Sequence, residues 1–409
     1  MAPDSDTLTI VGGLACTSDW KFRPCTVHVV GDRIAGIEPA GVSPAASPPD
    51  ARVLDACGCY VCPGFVDLHV NGGGGADFHQ GTPEAIEAVL RTHAAGGTTS
   101  LLAAINTAPD DERVRALRAL EAHITQRGAS AQLLGAYIEG PYYHPKERGA
   151  HPRALLRTPE EAPAREFLDR FGDLVRVFSL APELPGGIEL CRELRRRGIV
   201  VAAGHSNAKY HEVVAAVEAG LTLVTHVYCA QSTFHRTGAK KHLGLAETAL
   251  LLDELYVEII PDGKHLPPEI TRLILKNKPP ERVCVTTDAM PAAGMGPGRY
   301  RFLGTDILVE NGVAWRPDKQ RYAGSILTMD MAVRSLVRDV GVGLATAIRM
   351  ASHTPCQVLG IKDRRGSLEP GKEADIVVLN GDLRVRATIS RGKVVWPPHH
   401  ATGAQSPPD

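Results

Sequence analysis

Apolar residues follow one pattern near both ends of the chain and a different pattern in the middle. Near the ends they fall in short runs bounded by polar or turn residues, which is typical of β-strands. Such runs cover residues 8–11, 26–30, 33–37, 374–379 and 392–396. Gly31-Asp32, between two of these runs, predicts a hairpin turn. We therefore predict a small β-sandwich domain that both chain ends build together.

The middle of the chain alternates strand-like apolar runs with segments of helical composition. This alternation predicts an α/β fold of βα units around a parallel sheet that is covered by helices. The eight predicted strands span residues 62–71, 98–105, 132–139, 175–182, 199–205, 221–228, 255–261 and 282–288. Helical spacing marks residues 83–95, 112–126, 189–197 and 210–219. Eight strands favour a TIM-type (β/α)8 barrel; an open doubly wound sheet is the alternative, because periodicity does not show closure.

These patterns divide the 409 residues into parts, since one compact core rarely extends over so long a chain. Residues 1–62 and 356–396 are predicted to form the two portions of the β domain, and residues 63–355 the barrel. Residues 397–409 are rich in Pro, Ser, Gly and His, which predicts a disordered tail.

Composition excludes several classes of protein. A net charge of -1 and a pI near 7.0 give no electrostatic basis for binding nucleic acid or an anionic membrane. The N-terminus lacks the pattern of a secretory signal, and no apolar run is long enough to cross a bilayer. The nine cysteines are scattered, and the C-x-x-C pair Cys59 and Cys62 has no second pair with which to form a zinc knuckle. We therefore expect free thiols and a cytoplasmic protein.

Polar side chains stand at the ends of four predicted barrel strands. Glu139 ends one strand before a Gly-Pro turn, and Gly204-His205, Thr225-His226 and Thr287-Asp288 end three others. Taken singly, each is most simply a hydrogen-bonded polar group of a barrel. Together, one Glu and two His form a ligand set for a divalent metal such as zinc or iron(II), with room for water. Asp288 is then the candidate general base.

Further candidates surround this set. His69, on the first barrel strand, is a potential ligand of a second metal ion, and His265 follows the seventh strand where it could polarise a substrate carbonyl. The basic loop after the sixth strand contains His235 and Arg236. Such a loop meets a phosphate or sugar hydroxyls in some proteins, although a solvated charged loop is the commoner meaning.

The order and content of these motifs resemble the amidohydrolase superfamily, and within it the N-acetylglucosamine-6-phosphate deacetylase family. The similar segments extend over nearly the whole chain and include residues 63–69, 138–141, 146–151, 204–208, 225–226, 262–265, 287–290, 323–330 and 371–375.

By position, the resemblance implies the role of each site residue. Glu139, His205 and His226 would hold one divalent ion per chain, with Zn²⁺ favoured and Fe²⁺ or another ion as alternatives. Asp288 would be the acid and base, and His265 would polarise the acetamide carbonyl. The resemblance also implies that the sugar is held by His151 and by the backbone around Ala150 and Ala230. It further implies a homodimer in which a basic residue of the partner subunit helps to bind phosphate.

The chain departs from the family pattern in three places. The first strand carries His69-Val70-Asn71 in place of His-x-His, which favours a mononuclear site. Cys229-Ala230-Gln231 replaces the usual Asn-Ala-Met. The usual Arg-Glu-Pro-Gly segment for phosphate is absent from residues 237–244, although Arg236 or a neighbouring lysine could substitute for it.

Three hypotheses follow. The first is metal-dependent hydrolysis of N-acetylglucosamine 6-phosphate to glucosamine 6-phosphate and acetate. The second keeps this chemistry and changes the substrate to another N-acyl amino sugar, including an unphosphorylated one. The third is a non-catalytic sugar-binding barrel, which the polar strand-end residues disfavour because a scaffold has no use for an unpaired Asp beside a metal site.

Overall fold

The computed structural model describes residues 7–40, 51–126, 128, 130–162 and 164–397. The first part of the chain contains strands β1 Thr7–Cys16, β2 Phe22–Val30, β3 Arg33–Pro39, β4 Arg52–Asp55, β5 Tyr60–Pro63, β6 Phe65–Val70, β7 Gly72–Gly73, β8 Ala76–Asp77, β9 Thr98–Asn106, β10 Gln132–Glu139, β11 Val175–Leu180 and β12 Val200–Ala203. The second part contains strands β13 Leu221–Val224, β14 His235–Thr237, β15 Lys240–His242, β16 Tyr256–Ile259, β17 Val283–Val285, β18 Gly298–Phe302, β19 Thr305–Glu310, β20 Val313–Trp315, β21 Ile376–Leu379, β22 Val385–Ser390 and β23 Lys393–Trp396.

Helices alternate with these strands in the middle of the chain. They are α1 Pro83–Ala95, α2 Asp110–Ile124, α3 Arg165–Phe171, α4 Gly187–Arg196, α5 Tyr210–Ala219, α6 Leu245–Leu251, α7 Pro268–Asn277, α8 Met329–Ser335, α9 Leu344–Ala351 and α10 His353–Val358. Short 3₁₀ helices cover Phe78–Gln80, Arg153–Leu155 and Pro280–Arg282, and a π-helix covers Leu336–Val340. In the described part of the chain, no helix is both long and apolar enough to span a membrane.

The two chain ends build one sheet, as the sequence predicts. Its strand order is β23-β22-β21-β5-β1-β2-β3, and β4 pairs with β1. β5 joins the N-terminal strands to the C-terminal ones, because Val61 pairs with Val378 of β21 in an antiparallel register. The sheet buries its own core, which includes Ile10, Val27 and Ile389. A separate sheet domain from both ends is thus confirmed.

The middle of the chain forms the predicted parallel barrel. Its strand order is β17-β16-β13-β12-β11-β10-β9-β6. Beyond β17 the chain returns to β6, where the Asp288 N–H donates to the His69 carbonyl at 2.9 Å and the Asn71 N–H donates to the Ala289 carbonyl at 2.9 Å. These bonds close the sheet on itself and exclude the open doubly wound alternative.

Predicted and observed element boundaries agree best where the sequence of a helix has clear end signals. α1 and α5 occupy the predicted residues, and the start of α1 is fixed by Thr82, whose hydroxyl accepts from the Ala85 N–H at 3.2 Å. The predicted strand over residues 62–71 is wrong as one element: it divides at Gly64 into β5 of the end sheet and β6 of the barrel. A side chain at Gly64 would lie 2.3 Å from the Thr99 side chain, so only glycine fits where the chain changes sheets.

An antiparallel sheet of β18, β19 and β20 lies between β17 and α8, and the sequence patterns did not predict it. Ile307 and Val309 alternate inward on β19 and pack with Phe302 and Ala314 in a small core of their own. We call residues 298–315 the inserted sheet.

The predicted domain boundaries stay predictions. Of the predicted disordered tail, only Pro397 lies within the described residues, and residues 398–409 lie outside them. All nine cysteines lie within the described residues, and all nine are free thiols, as expected.

A buried ionic network joins the end sheet to the barrel. Arg365 has a 5% exposed side chain, pairs with Glu373 and donates to Gln132 Oε1 at 3.1 Å. Gln132 is the first residue of β10 and donates in turn to Asp375 Oδ1 at 3.0 Å and to Ser390 Oγ at 3.1 Å. Both parts of the fold therefore depend on one guanidinium.

We predict that Arg365→Met lowers the free energy of unfolding by about 3–5 kcal/mol, because it removes the buried guanidinium from the Glu373 and Asp375 carboxylates and leaves only the exposed Arg364 beside Glu373. The matched control is Arg364→Met. Arg364 also bonds Glu373, at 2.6 Å, but 64% of its side chain is exposed, so we expect a loss of less than about 1 kcal/mol. Urea unfolding followed by circular dichroism measures both. Equal losses would contradict this account of the network.

Candidate active site

The candidate site residues lie at the carboxyl ends of barrel strands. Glu139 is the last residue of β10, and His205, His226 and Asp288 follow β12, β13 and β17 within three residues. His205, His226 and Asp288 adopt positive φ angles of 47°, 28° and 48°. Non-glycine residues seldom adopt this backbone conformation, and it is often found at functional sites. Here it turns three polar side chains into the mouth of the barrel.

The predicted metal ligands converge on one carboxylate oxygen. Glu139 Oε1 lies 3.2 Å from His205 Nε2 and 3.5 Å from His226 Nε2, and the two imidazole nitrogens are 3.2 Å apart. Three residues far apart along the chain are thus close enough together to bind one metal ion.

Two other histidines approach the same carboxylate. His151 Nε2 lies 3.6 Å from Glu139 Oε1, and His69 Nε2 lies 3.3 Å from Glu139 Oε2. Glu139, His151 and His205 also satisfy the spacing of a three-ligand metal site. The described residues therefore offer two overlapping ligand sets that share Glu139 and His205 and differ in His226 or His151.

The protonation of Glu139 and His205 fits a divalent ion. His205 Nδ1 lies 2.9 Å from the Glu147 carbonyl, so the ring donates there and leaves the Nε2 lone pair for a metal. Burial lowers the pKa of His205 to about 3, which keeps this imidazole neutral. Burial alone would raise the pKa of Glu139, but the charge of His69 and a hydrogen bond from His151 hold it well below its usual range. An ionised carboxylate and a neutral imidazole are donors found in zinc sites. Burial lowers the pKa of His226, but the hydrogen bond with Glu139 and the charge of Asp288 outweigh burial and raise it, so metal binding at His226 would release a proton.

Asp288 lies beside these residues, and Asn71 orients it. The Asn71 side-chain amide donates to Asp288 Oδ1 at 2.6 Å, and His69 Nε2 is 3.6 Å from the same oxygen. Burial raises the pKa of Asp288. The residue that departs from the His-x-His pattern thus positions the candidate base.

His265 is fixed from behind by Asp262. Asp262 Oδ2 lies 2.7 Å from His265 Nδ1, and Asp262 Oδ1 accepts from the backbone N–H of His265 at 2.7 Å. His265 lines the cavity, and its ring packs against Tyr322 with ring centroids 5.0 Å apart.

A cavity of about 430 Å³ opens above Glu139. The predicted substrate residues His151, Ala150 and Ala230 line it. The other two predicted substrate residues, His235 and Arg236, lie on the β14–β15 hairpin and are not among the residues that line this cavity.

Sequence reasoning missed several cavity residues. Asn106, the last residue of β9, donates to Glu139 Oε2; its position at a strand end was a usable signal. Phe302 and Leu303 of the inserted sheet, and Arg321 and Tyr322 just after it, also line the cavity. No motif marked them, because the inserted sheet was not predicted.

Comparison with known proteins assigns the class. Residues 60–395 match the model of the amidohydrolase family. The chain belongs to the amidohydrolase family, a family of hydrolytic, metal-dependent enzymes, as the motifs indicated. Within this family, the relatives that match most of the chain are named as deacetylases of N-acetylated amino sugar phosphates.

N-acetylgalactosamine-6-phosphate deacetylase from Escherichia coli O157:H7 is 35% identical over 361 residues, which cover 88% of this chain and 92% of that protein. N-acetylglucosamine-6-phosphate deacetylase from Bos taurus is 34% identical, over 84% of this chain and 85% of that protein. Among solved structures, N-acetylglucosamine-6-phosphate deacetylase from Pasteurella multocida superimposes with a TM-score of 0.87 at 29% identity, over 95% of this chain and 99% of that one. A variant of N-acetyl-D-glucosamine-6-phosphate deacetylase from Mycobacterium smegmatis was solved in complex with N-acetyl-D-glucosamine-6-phosphate. It superimposes with a TM-score of 0.85 at 33% identity, over 95% of this chain and 98% of that one.

We predict that Gly149→Ala weakens metal binding through His205. A side chain at Gly149 would lie 2.8 Å from His205 Cε1, at a backbone φ of 55°. The control is Gly238→Ala, which has the same kind of strain (φ 61°) with nothing within 4 Å. Both changes should lower the free energy of unfolding by about 1 kcal/mol or more through backbone strain. Only Gly149→Ala should raise the Kd for Zn²⁺, measured by competition with a chromophoric chelator; equal Kd values would contradict the prediction.

Proposed function

We propose that this protein hydrolyses the acetamide of N-acetylglucosamine 6-phosphate to glucosamine 6-phosphate and acetate. The observation that carries the proposal is the convergence of Glu139, His205 and His226 with Asp288 beside them, at the floor of a sugar-sized cavity. The names of the relatives supply the substrate class.

We assign the metal to Glu139, His205 and His226, as one divalent ion per chain. The two imidazoles and one carboxylate favour Zn²⁺, with Fe²⁺ as the alternative. His69 is the candidate ligand of a second ion, since its ring nitrogens lie 3.3 Å from Glu139, 3.5 Å from Glu258 and 3.6 Å from Asp288. When bound, such an ion polarises a carbonyl and lowers the pKa of water towards neutrality.

The reacting protons are assigned to Asp288. Its carboxylate takes a proton from the attacking water as the C–O bond forms at the acetyl carbon. It then gives that proton to the amide nitrogen as the C–N bond breaks, which releases acetate and the amine. Asn71 holds Asp288 in place through the bond to Oδ1.

His265 is assigned the hydrogen bond to the acetamide carbonyl oxygen. The Asp262 carboxylate at Nδ1 fixes the orientation of the ring for this hydrogen bond. His151, Ala150 and Ala230 are assigned to the sugar, since all three line the cavity.

A second candidate substrate is a different N-acyl amino sugar. The relatives are named for both the glucosamine and the galactosamine derivative, which differ only at C4. The family resemblance also supports a homodimer, and the free thiols support a cytoplasmic location. Both stay predictions.

The metal assignment is tested by replacing, one at a time, the two histidines that distinguish the ligand sets. We expect His226→Asn to abolish retention of one Zn²⁺ per chain through gel filtration, because it removes a direct ligand. His151→Asn should retain the ion and lose affinity for glucosamine 6-phosphate instead. Metal content by mass spectrometry and product binding by calorimetry separate the two roles, and retention of metal by His226→Asn with loss by His151→Asn would reverse the assignment.

The proton assignment is tested by Asp288→Asn. We expect acetate release to fall by about 10²- to 10⁴-fold, because the amide cannot carry the proton. Bound metal should remain at the wild-type level. Asp330→Asn is the control: burial raises the pKa of Asp330 as well, but it lies at the start of α8 away from the cavity, so turnover should be unchanged. Full activity in Asp288→Asn would exclude this mechanism.

A further inference from the structure

The two carboxylate oxygens of Glu139 have different neighbours. Oε1 lies 3.2 Å from His205 Nε2 and 3.5 Å from His226 Nε2, the two imidazoles that are assigned to the metal. Oε2 accepts from the side-chain amide of Asn106 and lies 3.3 Å from His69 Nε2. One oxygen therefore faces the assigned ion, and the other faces Asn106 and His69.

The fold fixes Asn106 beside this carboxylate. β9 and β10 are neighbouring parallel strands, and their last residues, Asn106 and Glu139, are paired in register. The backbone N–H of Asn106 donates to Nε2 of His79, which lies in the 3₁₀ helix Phe78–Gln80, at 3.0 Å. Asn106 is 2% exposed, and a hydrogen bond to an ionised group is strong in so dry a place. The amide is therefore well placed to hold the carboxylate.

Only one end of the Asn106 amide suits this contact. The amide nitrogen donates, whereas the amide oxygen would repel a carboxylate oxygen. Among the described residues, Asn106 Oδ1 is buried and has no hydrogen-bond partner, so the contact with Glu139 decides the orientation of the amide. An amide N–H is not a metal ligand. Asn106 thus places a donor on the carboxylate oxygen that a second ion would need.

The same arrangement recurs at Asp288. Asp288 Oδ1 lies 3.6 Å from His69 Nε2 and accepts from the side-chain amide of Asn71 at 2.6 Å. His69 is the candidate ligand of a second ion, and each of the two carboxylate oxygens near its Nε2 already accepts from an asparagine. A second cation at this place would therefore have to compete with two amide donors.

We propose that Asn106 is a positioning residue of the metal site: its amide makes Glu139 a ligand through Oε1 alone and keeps a second ion from binding between Glu139 and His69. Loss of a hydrogen bond to a metal ligand typically costs about 10- to 100-fold in metal affinity, because the ligand is then free to turn. The inference rests on the metal assignment made with the proposed function, and it does not depend on which sugar is the substrate.

Asn106→Leu tests the effect on the assigned ion. It keeps a buried side chain of similar size and removes the N–H donor, so the Kd for Zn²⁺ should rise about 10-fold or more. The matched control is Thr107→Val. Thr107 is the next residue and is 1% exposed, but its hydroxyl lies 3.5 Å from the backbone carbonyl of Glu139 and makes no hydrogen bond to the carboxylate. Its Kd should equal that of the wild type, as measured by competition with a chromophoric chelator.

Urea unfolding of the metal-free proteins separates positioning from a purely structural role. A structural role predicts that Asn106→Leu is less stable than the wild type and binds Zn²⁺ with the same Kd. That result would overturn the proposal, and so would an equal rise in Kd for Asn106→Leu and Thr107→Val.

Asn106→Asp tests the exclusion of a second ion. The new carboxylate has the shape of the amide and replaces its donor by an acceptor. After incubation with excess Zn²⁺ and gel filtration, this variant should retain two ions per chain, against one for the wild type and for Thr107→Val. Metal content is measured by mass spectrometry. Two ions in the wild type, or one in Asn106→Asp, would overturn the exclusion.

Hydrolysis is measured separately from these quantities. If the wild type binds one Zn²⁺ and releases acetate from neither N-acetylglucosamine 6-phosphate nor N-acetylgalactosamine 6-phosphate, the proposed function fails. The Kd values and the ion counts then still decide the inference about Asn106. A wild type that retains no zinc would overturn both.

Discussion

The arrangement of the site depends on one buried carboxylate. Glu139 ends β10 in the interior of the barrel, and an ionised carboxylate there is costly unless charges and donors surround it. Asn106 and four histidines meet this need by contacting its two oxygens; the histidines are His69, His151, His205 and His226. A structural need and a chemical one coincide, because donors gathered around Glu139 are also ligands for a cation.

The convergence of these side chains requires strained backbone conformations. His205, His226 and Asp288 all adopt left-handed conformations immediately after barrel strands. Gly149 allows the loop after β10 to approach the His205 ring more closely than any other residue could. Such strain is tolerated because the surrounding barrel is rigid and tightly packed, which is the usual relation between a scaffold and its site.

The sequence predicted the barrel and its chemistry from local signals. Strand and helix alternation is visible residue by residue, and a polar residue at the end of an apolar strand stands out, as Glu139 and His205 do. The division at Gly64 was missed because β5 and β6 are continuous in hydrophobicity, and the change of sheets is visible only in the pairing of β5 with β21 and of β6 with β9. The inserted sheet was missed because its strands are short and half-exposed. Which residues form the cavity rim depended on that sheet, so Arg321 and Tyr322 were not predicted.

The pairing of β5 with β21 has a consequence for synthesis on the ribosome. The N-terminal strands emerge first, and β5 can pair with β1 early, but its second neighbour, β21, is made only after the entire barrel has been translated. Until then the growing polypeptide exposes an unpaired strand edge, which is the kind of surface that promotes aggregation and recruits chaperones. The end sheet is therefore completed late, when β21, β22 and β23 leave the exit tunnel.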